Sequence, residues 1–205
     1  MTEPMPRRGR KGERTRARIL DSATELFSRS GFHAVSLRDI AAHAGLTHAG
    51  LLHHFPGKES LLIQVLSRRD EVDGELMHSP ADSLPPEELL DRVAAQVAKN
   101  MGTPGLVGLY VKISGEAADP GHPAHDYFVK RYRRLRRQAA WLLGTLFERA
   151  TPPLDHDPDV VAQQLIALID GLQTQWLLDP DQVDMRAAVI AFLRQLGLHP
   201  GQPPS

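Results

Sequence analysis

Residues 47–58 read Thr-His-Ala-Gly-Leu-Leu-His-His-Phe-Pro-Gly-Lys, an odd set for a helix. The Thr47 hydroxyl at a helix start can bond either a backbone N–H or a phosphate. Ala49 and Gly50 leave the first turn almost without side chains. In a helix that only packs against a core this is poor composition, since Gly costs about 1 kcal/mol in a helix interior. For a helix entering a DNA major groove roughly 12 Å wide, small residues let the backbone come close. Other chemistries find less support. No G-x-S-x-G, H-E-x-x-H, G-x-G-x-x-G or P-loop pattern occurs. The absence of cysteine excludes disulfides, thiol catalysis and Cys-based zinc sites, and fits a reducing cytoplasm. His122 and His125 are three apart, as metal ligands can be. The same "DPGHPAH" also reads as an ordinary loop and helix start, and no third ligand stands at a suggestive spacing. No metal and no cofactor are expected.

These side chains need elements to hold them, and the pattern is helical throughout. Apolar residues Ile19, Leu20, Ala23, Leu26 and Phe27 recur at helical spacing from Glu13 to Ser30, with Gly31 just past the end. Ser36 with Asp39 three residues on is a capping-box-like start for a second, short helix closed by Gly45. A third piece runs from about 47 to 54, and a fourth from Lys58 to about Met77. Residues 36–55 form a helix-turn-helix on this reading, with Ile40, Ala41, Ala44, Leu46 and Leu51 between its helices and Gly45 at the turn. "SPADSLPP" (79–86) is the strongest break. Beyond it, helical segments are expected near 86–101, 106–118, 122–149, 158–178 and 182–196. The expected fold is all-α with about nine helices. Residues 1–12 form a disordered basic arm, 13–57 a three-helix DNA-binding unit, and 58–197 a larger helical effector-binding and dimerisation domain. Helix 4 joins the two, and 198–205 is a flexible tail.

Charge divides the same way. Residues 1–60 hold ten Lys/Arg against six Asp/Glu, a balance of +4, while the remainder holds fourteen against nineteen, −5. A basic front on a mildly acidic body suggests that the front meets a polyanion. Hydrophobic residues at 41% suffice for a core, and no run approaches the roughly 18 apolar residues of a membrane span. No secretory h-region opens the chain.

The stretch "GFHAVSLRDIAAHAGLTHAGLLHHFPGKESLL" (31–62), preceded by "RARILDSATELFSRSGF", resembles the tetracycline-repressor (TetR) family of bacterial transcription regulators. The resemblance implies phosphate contacts from Ser36, Thr47, His53 and Lys58. It implies base-edge reading by His48 and Ala49, with Gly50 permitting approach. Where many members carry a tyrosine whose hydroxyl bonds a phosphate, this chain has Leu52. That contact is absent or replaced by an apolar contact to sugar or thymine methyl. Ser36 and Thr47 are also helix caps, and His54 beside Phe55 is expected to be structural. Lys58 opposes the dipole of its own helix, a cost that a phosphate there would offset. The arm with Arg7, Arg8, Arg10, Lys11, Arg14, Arg16 and Arg18 either follows the DNA backbone or groove, or is a solvated tail.

In the body, Val161, Leu165, Leu168, Ile169, Leu172 and Trp176 form one stripe beside a narrow polar strip of Gln163, Asp170 and Thr174. Met185, Val189, Phe192, Leu193 and Leu196 form another. "IALIDGLQTQWLL" (166–178) also resembles the family's dimerisation helix. The expected dimer interface is Leu165, Leu168, Ile169, Leu172, Trp176, Val189, Phe192 and Leu196, forming an isologous four-helix contact. A two-fold dimer implies a roughly palindromic double-stranded operator. Met77, Leu106, Tyr110, Ile113, Glu116, Phe128, Tyr132, Trp141 and Gln175 are the candidates for lining an effector site. "KRYRRLRRQ" (130–138) reads as a solvated helix face or a source of salt bridges. The function expected is a cytoplasmic, homodimeric repressor released from its operator by an unidentified small molecule, with helix 4 as the lever. An activator or protein-controlled regulator of the same fold stays open, as does a helical enzyme or binding protein without a DNA role.

Overall fold

The computed structural model describes residues 7–77 and 86–199, and these are entirely helical apart from turns. In chain order the helices are α1 (Arg7–Ser30), α2 (Leu37–His43), α3 (His48–Leu52), α4 (Lys58–Met77), α5 (Pro86–Met101), α6 (Pro104–Glu116), α7 (His125–Arg149), α8 (Pro158–Leu178) and α9 (Met185–Gln195). The all-α expectation is met, and α4, α5 and α8 keep the expected limits. Cα packing divides the chain into residues 1–70 and 71–205.

In the first unit, Ile19, Ala23 and Phe27 of α1 meet Ile40, Leu51, Phe55, Leu61, Leu62 and Leu66 in a closed apolar core. Local chemistry sets its turns. The Ser36 hydroxyl accepts the Asp39 N–H while the Asp39 carboxylate accepts the Ser36 N–H, satisfying two orphan donors of α2 at once. The Ser36 hydroxyl, which also donates to the Asp39 carboxylate, and then the Ser36 N–H hold the Asp39 carboxyl below its ordinary range. Gly45 then takes φ +63°, with its N–H bonded to the Ala42 carbonyl and the Leu46 N–H reaching back to Ala41. This left-handed C-terminal motif turns the chain sharply, and only Gly enters it without steric cost.

One expectation is corrected here. Helix α1 begins at Arg7, so residues 7–12 are helical and not a disordered arm. Apolar periodicity is missing from that stretch, but Arg, Lys and Glu are good helix formers and continue a helix whose core-facing residues start only at Ile19. Residues 1–6 lie outside the described part.

In the second unit, α8 is the central element, packed against α6, α7 and α9. The core joins Val107, Leu142, Leu143, Leu146, Phe147, Val161, Leu165, Leu172, Trp176, Met185, Val189 and Leu193. Asp157 and Asp184 cap α8 and α9 through their carboxylates, and Pro158 occupies the first turn of α8. Gly197 repeats the device of Gly45 at φ +84°, and the Leu198 N–H bonds the Leu193 carbonyl. Leu198 is buried by that turn, so the expected flexible tail is corrected at its first residue. Residues 200–205 are outside the described part.

Candidate nucleic-acid interface

The first unit exposes the N-terminal face of α3, a helix of five residues. Leu51 alone faces the core, fully buried, and Phe55 follows it inward. His48, Ala49 and His53 are exposed, and Leu52 is 38% exposed. Thr47 accepts the Gly50 N–H at 3.1 Å, which leaves its hydroxyl proton to donate. Gly50 has a second reason to be glycine. A Cβ there would lie 3.2 Å from the Thr47 hydroxyl, so a larger residue would press on the cap itself.

Ser36 is more committed than its exposure suggests. Its hydroxyl lies 2.6 Å from the Asp39 carboxylate as well as serving as the cap. Lys58 folds back from the start of α4, its ammonium 3.3 Å from the His33 carbonyl and 4.4 Å from the centre of the Phe32 ring. Partial burial lowers its pKa, opposed by the nearby charges of Glu59 and Asp39. Lys58 thus joins the α1–α2 turn to the start of α4. The DNA-facing candidates therefore share one unit: Thr47, His48, Ala49, Gly50, Leu52 and His53 on and around α3, with Ser36 and Lys58 on the α2 and α4 starts.

Arg16 does not belong with the solvent-facing arginines. Its guanidinium donates to the His54 carbonyl at 3.1 Å and to Gln64 at 2.9 Å, and it lies 4.2 Å from the centre of the Phe55 ring. It ties α1 to the segment just past α3 and to α4. His54 is half-buried and supplies the accepting carbonyl. Lys11, Arg14 and Arg18 remain exposed.

In the second unit the structure gathers an aromatic cluster. The Tyr110 and Tyr127 hydroxyls lie 3.1 Å apart, and the Phe128 ring meets both tyrosines edge-on. Tyr132 donates to the Asp170 carboxylate at 2.7 Å. Burial raises the Asp170 pKa, and burial together with the Asp170 charge pushes the Tyr132 hydroxyl up to about 12. The Arg131 guanidinium stands 5.0 Å from the Tyr110 ring centre, so one member of the basic "KRYRRLRRQ" run turns inward while Arg133, Arg136 and Arg137 stay exposed. Tyr110, Phe128 and Tyr132 thus come together, with Ile113 buried and Leu106 half-buried on α6. Glu116 is exposed beside His122, Trp141 is 49% exposed, and Gln175 is exposed; none of them joins this cluster. The Met77 side chain is outside the described part. Asp170 and Tyr127 join this cluster without being among the candidates read from the sequence. The available signal for Asp170 was an acid in the narrow polar strip of an otherwise apolar stretch of α8.

His122 accepts the Ala124 N–H on Nδ1, and His125 pairs its Nδ1 with the Ala117 carbonyl at 2.9 Å. Both rings pin the loop between α6 and α7. Among the described residues no three His, Asp or Glu side chains gather in a metal-holding arrangement.

The residues of the expected dimer stripe differ in how far their own chain covers them. Leu165, Leu172, Trp176 and Val189 are buried in the chain's own core. Leu168, Ile169, Phe192 and Leu196 are partly buried against it. Within one chain α6, α7 and α9 cover part of the wide apolar arc of α8; periodicity does not distinguish such cover from that of a second chain. The face of α8 left exposed carries Val160, Gln164, Ala167, Gly171, Thr174 and Leu178, spaced four and three residues apart. Val160 is 46% and Leu178 81% exposed.

Comparison with known proteins agrees with both units. Residues 19–65 match the model of bacterial regulatory proteins of the tetR family, and residues 85–197 match that of the BetI-type transcriptional repressor C-terminal region. The chain is 27% identical over 177 residues to the HTH-type transcriptional regulator PksA of Bacillus subtilis, covering 84% of this chain and 83% of that one. A putative transcriptional regulator from Saccharomonospora viridis, solved in complex with choline, superposes with a TM-score of 0.75 at 26% identity. The match covers 89% of this chain and 96% of the other. SCO4454, a TetR-family regulator from Streptomyces coelicolor, gives 0.73 at 27% identity, covering 89% and 95%. With the capped, small-sided α3 between α2 and α4, and with matches spanning both units, the chain belongs to the TetR family of bacterial regulatory proteins and is a DNA-binding transcriptional regulator.

Proposed function

We propose that this regulator is a homodimeric repressor that acts in the cytoplasm on a roughly palindromic operator and is released by a small molecule held in its helical body. The observation that carries the reading is α3: Thr47, His48, Ala49 and His53 stand exposed on a helix with almost no bulk at its first turn. Such a helix can approach base edges closely, and a two-fold pair of them would meet half-sites about 34–36 Å apart. Ser36, Thr47, His53 and Lys58 would hold phosphates, while His48 and Ala49 would face bases over Gly50, with Leu52 against sugar or a thymine methyl.

The effector anchor on this reading is the Tyr132–Asp170 pair within the Tyr110, Tyr127 and Phe128 rings, with Leu106 and Ile113 beside it. A half-enclosed carboxylate beside aromatic rings suits a cation, and the Arg131 guanidinium already stands against the Tyr110 and Tyr132 rings, so an organic cation would take its place there or share Asp170 with it. The choline-bound regulator from Saccharomonospora viridis supports that class of ligand. Differential affinity of the ligand for two conformations of the regulator would then lower operator affinity.

The test is fluorescence anisotropy with the DNA flanking the protein's own gene, beside a scrambled duplex, at two salt concentrations and with added choline chloride against sodium chloride. Salt-dependent preference for the native duplex, weakened by choline, is expected. Equal binding to both duplexes would remove the operator assignment for that DNA. Preference without a choline effect, and without a choline-induced rise in melting temperature, would remove the cationic effector alone. Asp170→Asn should lose the choline response and keep operator affinity.

A further inference from the structure

We propose that Arg131 is the resident cation of the Tyr132–Asp170 site, and that a cationic effector enters only by displacing its guanidinium. The inference rests on the organic-cation reading and deepens it by naming the residue that sets the effector concentration at which the site fills. Its first support is occupancy. The Arg131 guanidinium lies 5.0 Å from the centre of the Tyr110 ring and 5.8 Å from that of Tyr132, inside the range of a cation–π contact with both. Tyr132 in turn donates to the Asp170 carboxylate at 2.7 Å, so rings, carboxylate and guanidinium form one group. The Arg131 side chain is half-buried, whereas Lys130, Arg133, Arg136 and Arg137 of the same helix are exposed.

Its second support is charge. Burial raises the Asp170 pKa, and the Tyr132 hydroxyl and then the Arg131 charge act against that rise. Asp170 therefore already has a counter-charge from its own chain. An ammonium sharing the carboxylate with Arg131 would set two cations against one anion in partly desolvated surroundings, where like charges repel strongly. Exchange of one cation for the other leaves the charge of the site unchanged. Its third support is the way out. A half-buried arginine keeps its long stem along the helix and can carry its charged head into water by side-chain rotation alone. Outside it would meet the like charge of Arg134 three residues on, which favours the inward position slightly. The tethered guanidinium thus competes with free ligand at an effective concentration on the order of millimolar. A quaternary ammonium can still displace it, because its methyl groups bury apolar surface against the rings.

The experiment measures choline chloride binding by calorimetry, at constant ionic strength, to the full-length wild type and to Arg131→Gln, Arg131→Lys and Arg133→Gln. Arg131→Gln should bind choline about 10-fold more tightly, since the fraction of sites open to ligand rises once the competitor is gone. Arg131→Lys keeps the charge without the planar head and should fall between the two. Arg133→Gln removes an equal charge from the exposed face, where salt screens it, and should change the affinity less than about 2-fold. In Arg131→Ala, added methylguanidinium chloride should fill the vacated place and compete with choline, a competition much weaker in the wild type. Melting temperatures without choline establish that each variant is folded. Should Arg131→Gln not fold, the gain of Arg131→Lys over the wild type decides the same point. Weaker or equal choline binding by a folded Arg131→Gln overturns the displacement and leaves the cation reading standing. Equal gains in Arg131→Gln and Arg133→Gln would reduce the effect to net charge and overturn it as well. Choline binding to none of these proteins overturns both.

Discussion

Replacing Gly45 by Ala tests the geometry of the helix-turn-helix directly. Gly45 holds φ +63°, and a Cβ added there would meet nothing within 4 Å. No clash contributes, so the whole cost is conformational. An L-residue in the left-handed region loses about 1–2 kcal/mol. Alanine's smaller unfolded-state entropy returns about 0.4–1 kcal/mol of this. A net loss of roughly 1 kcal/mol is expected, or about 4–8 °C for a unit of 60–100 residues. Gly12→Ala supplies the opposite sign. Gly12 sits within α1 with nothing near its Cβ position, and Ala there should stabilise the unit by up to about 1 kcal/mol. Urea unfolding of both variants, followed by far-UV circular dichroism, reads the pair side by side. Gly45→Asn should fall between wild type and Gly45→Ala, since Asn tolerates this region. A neutral or stabilising Gly45→Ala would mean that the turn does not hold the left-handed residue, and the positioning of α3 would need another explanation.

Gly50→Ala should weaken operator binding about 5- to 30-fold, with the stability read from urea unfolding lowered by less than about 1 kcal/mol, because the new methyl disturbs the Thr47 cap; undiminished affinity would show that the cap tolerates it. Burial raises the Asp170 pKa above its ordinary 3.8, so ionisation there opposes folding and stability is lost as pH rises through the raised value. Asp170→Asn should therefore melt higher than wild type near pH 7, and the difference should fade below about pH 4; a constant difference would point to packing instead. Of the three tyrosines, Tyr132 should ionise near pH 12 in an ultraviolet titration, and the folding contribution of its neutral form should persist below pH 10 and vanish towards 12. If the exposed face of α8 joins two chains, Ala167→Asp or Gly171→Glu should halve the mass seen by light scattering, whereas a full-mass variant would place the contact elsewhere.

The amino-acid sequence by itself determined the helix inventory and the DNA-binding motif, because both are written in local chemistry. Ser36 with Asp39, Gly45 before Thr47, and apolar residues every three or four positions act over a single turn or two, and the structure realises them as read. The start of α1 was less legible, since Arg, Lys and Glu without periodicity suit both a helix and a solvated tail. Tertiary structure alone decided how shared properties were divided. Seven basic residues precede Ile19, yet only the fold sends Arg16 inward onto Phe55 and His54 while Lys11, Arg14 and Arg18 stay outside. The apolar arc of α8 was equally legible, but packing within one chain covers Leu165, Leu172 and Trp176 and leaves Val160 and Leu178 exposed. Asp170 meets Tyr132 across 38 residues of sequence, and such a pair has no local signature. Periodicity states which side of a helix seeks cover; what covers it depends on elements distant in the chain.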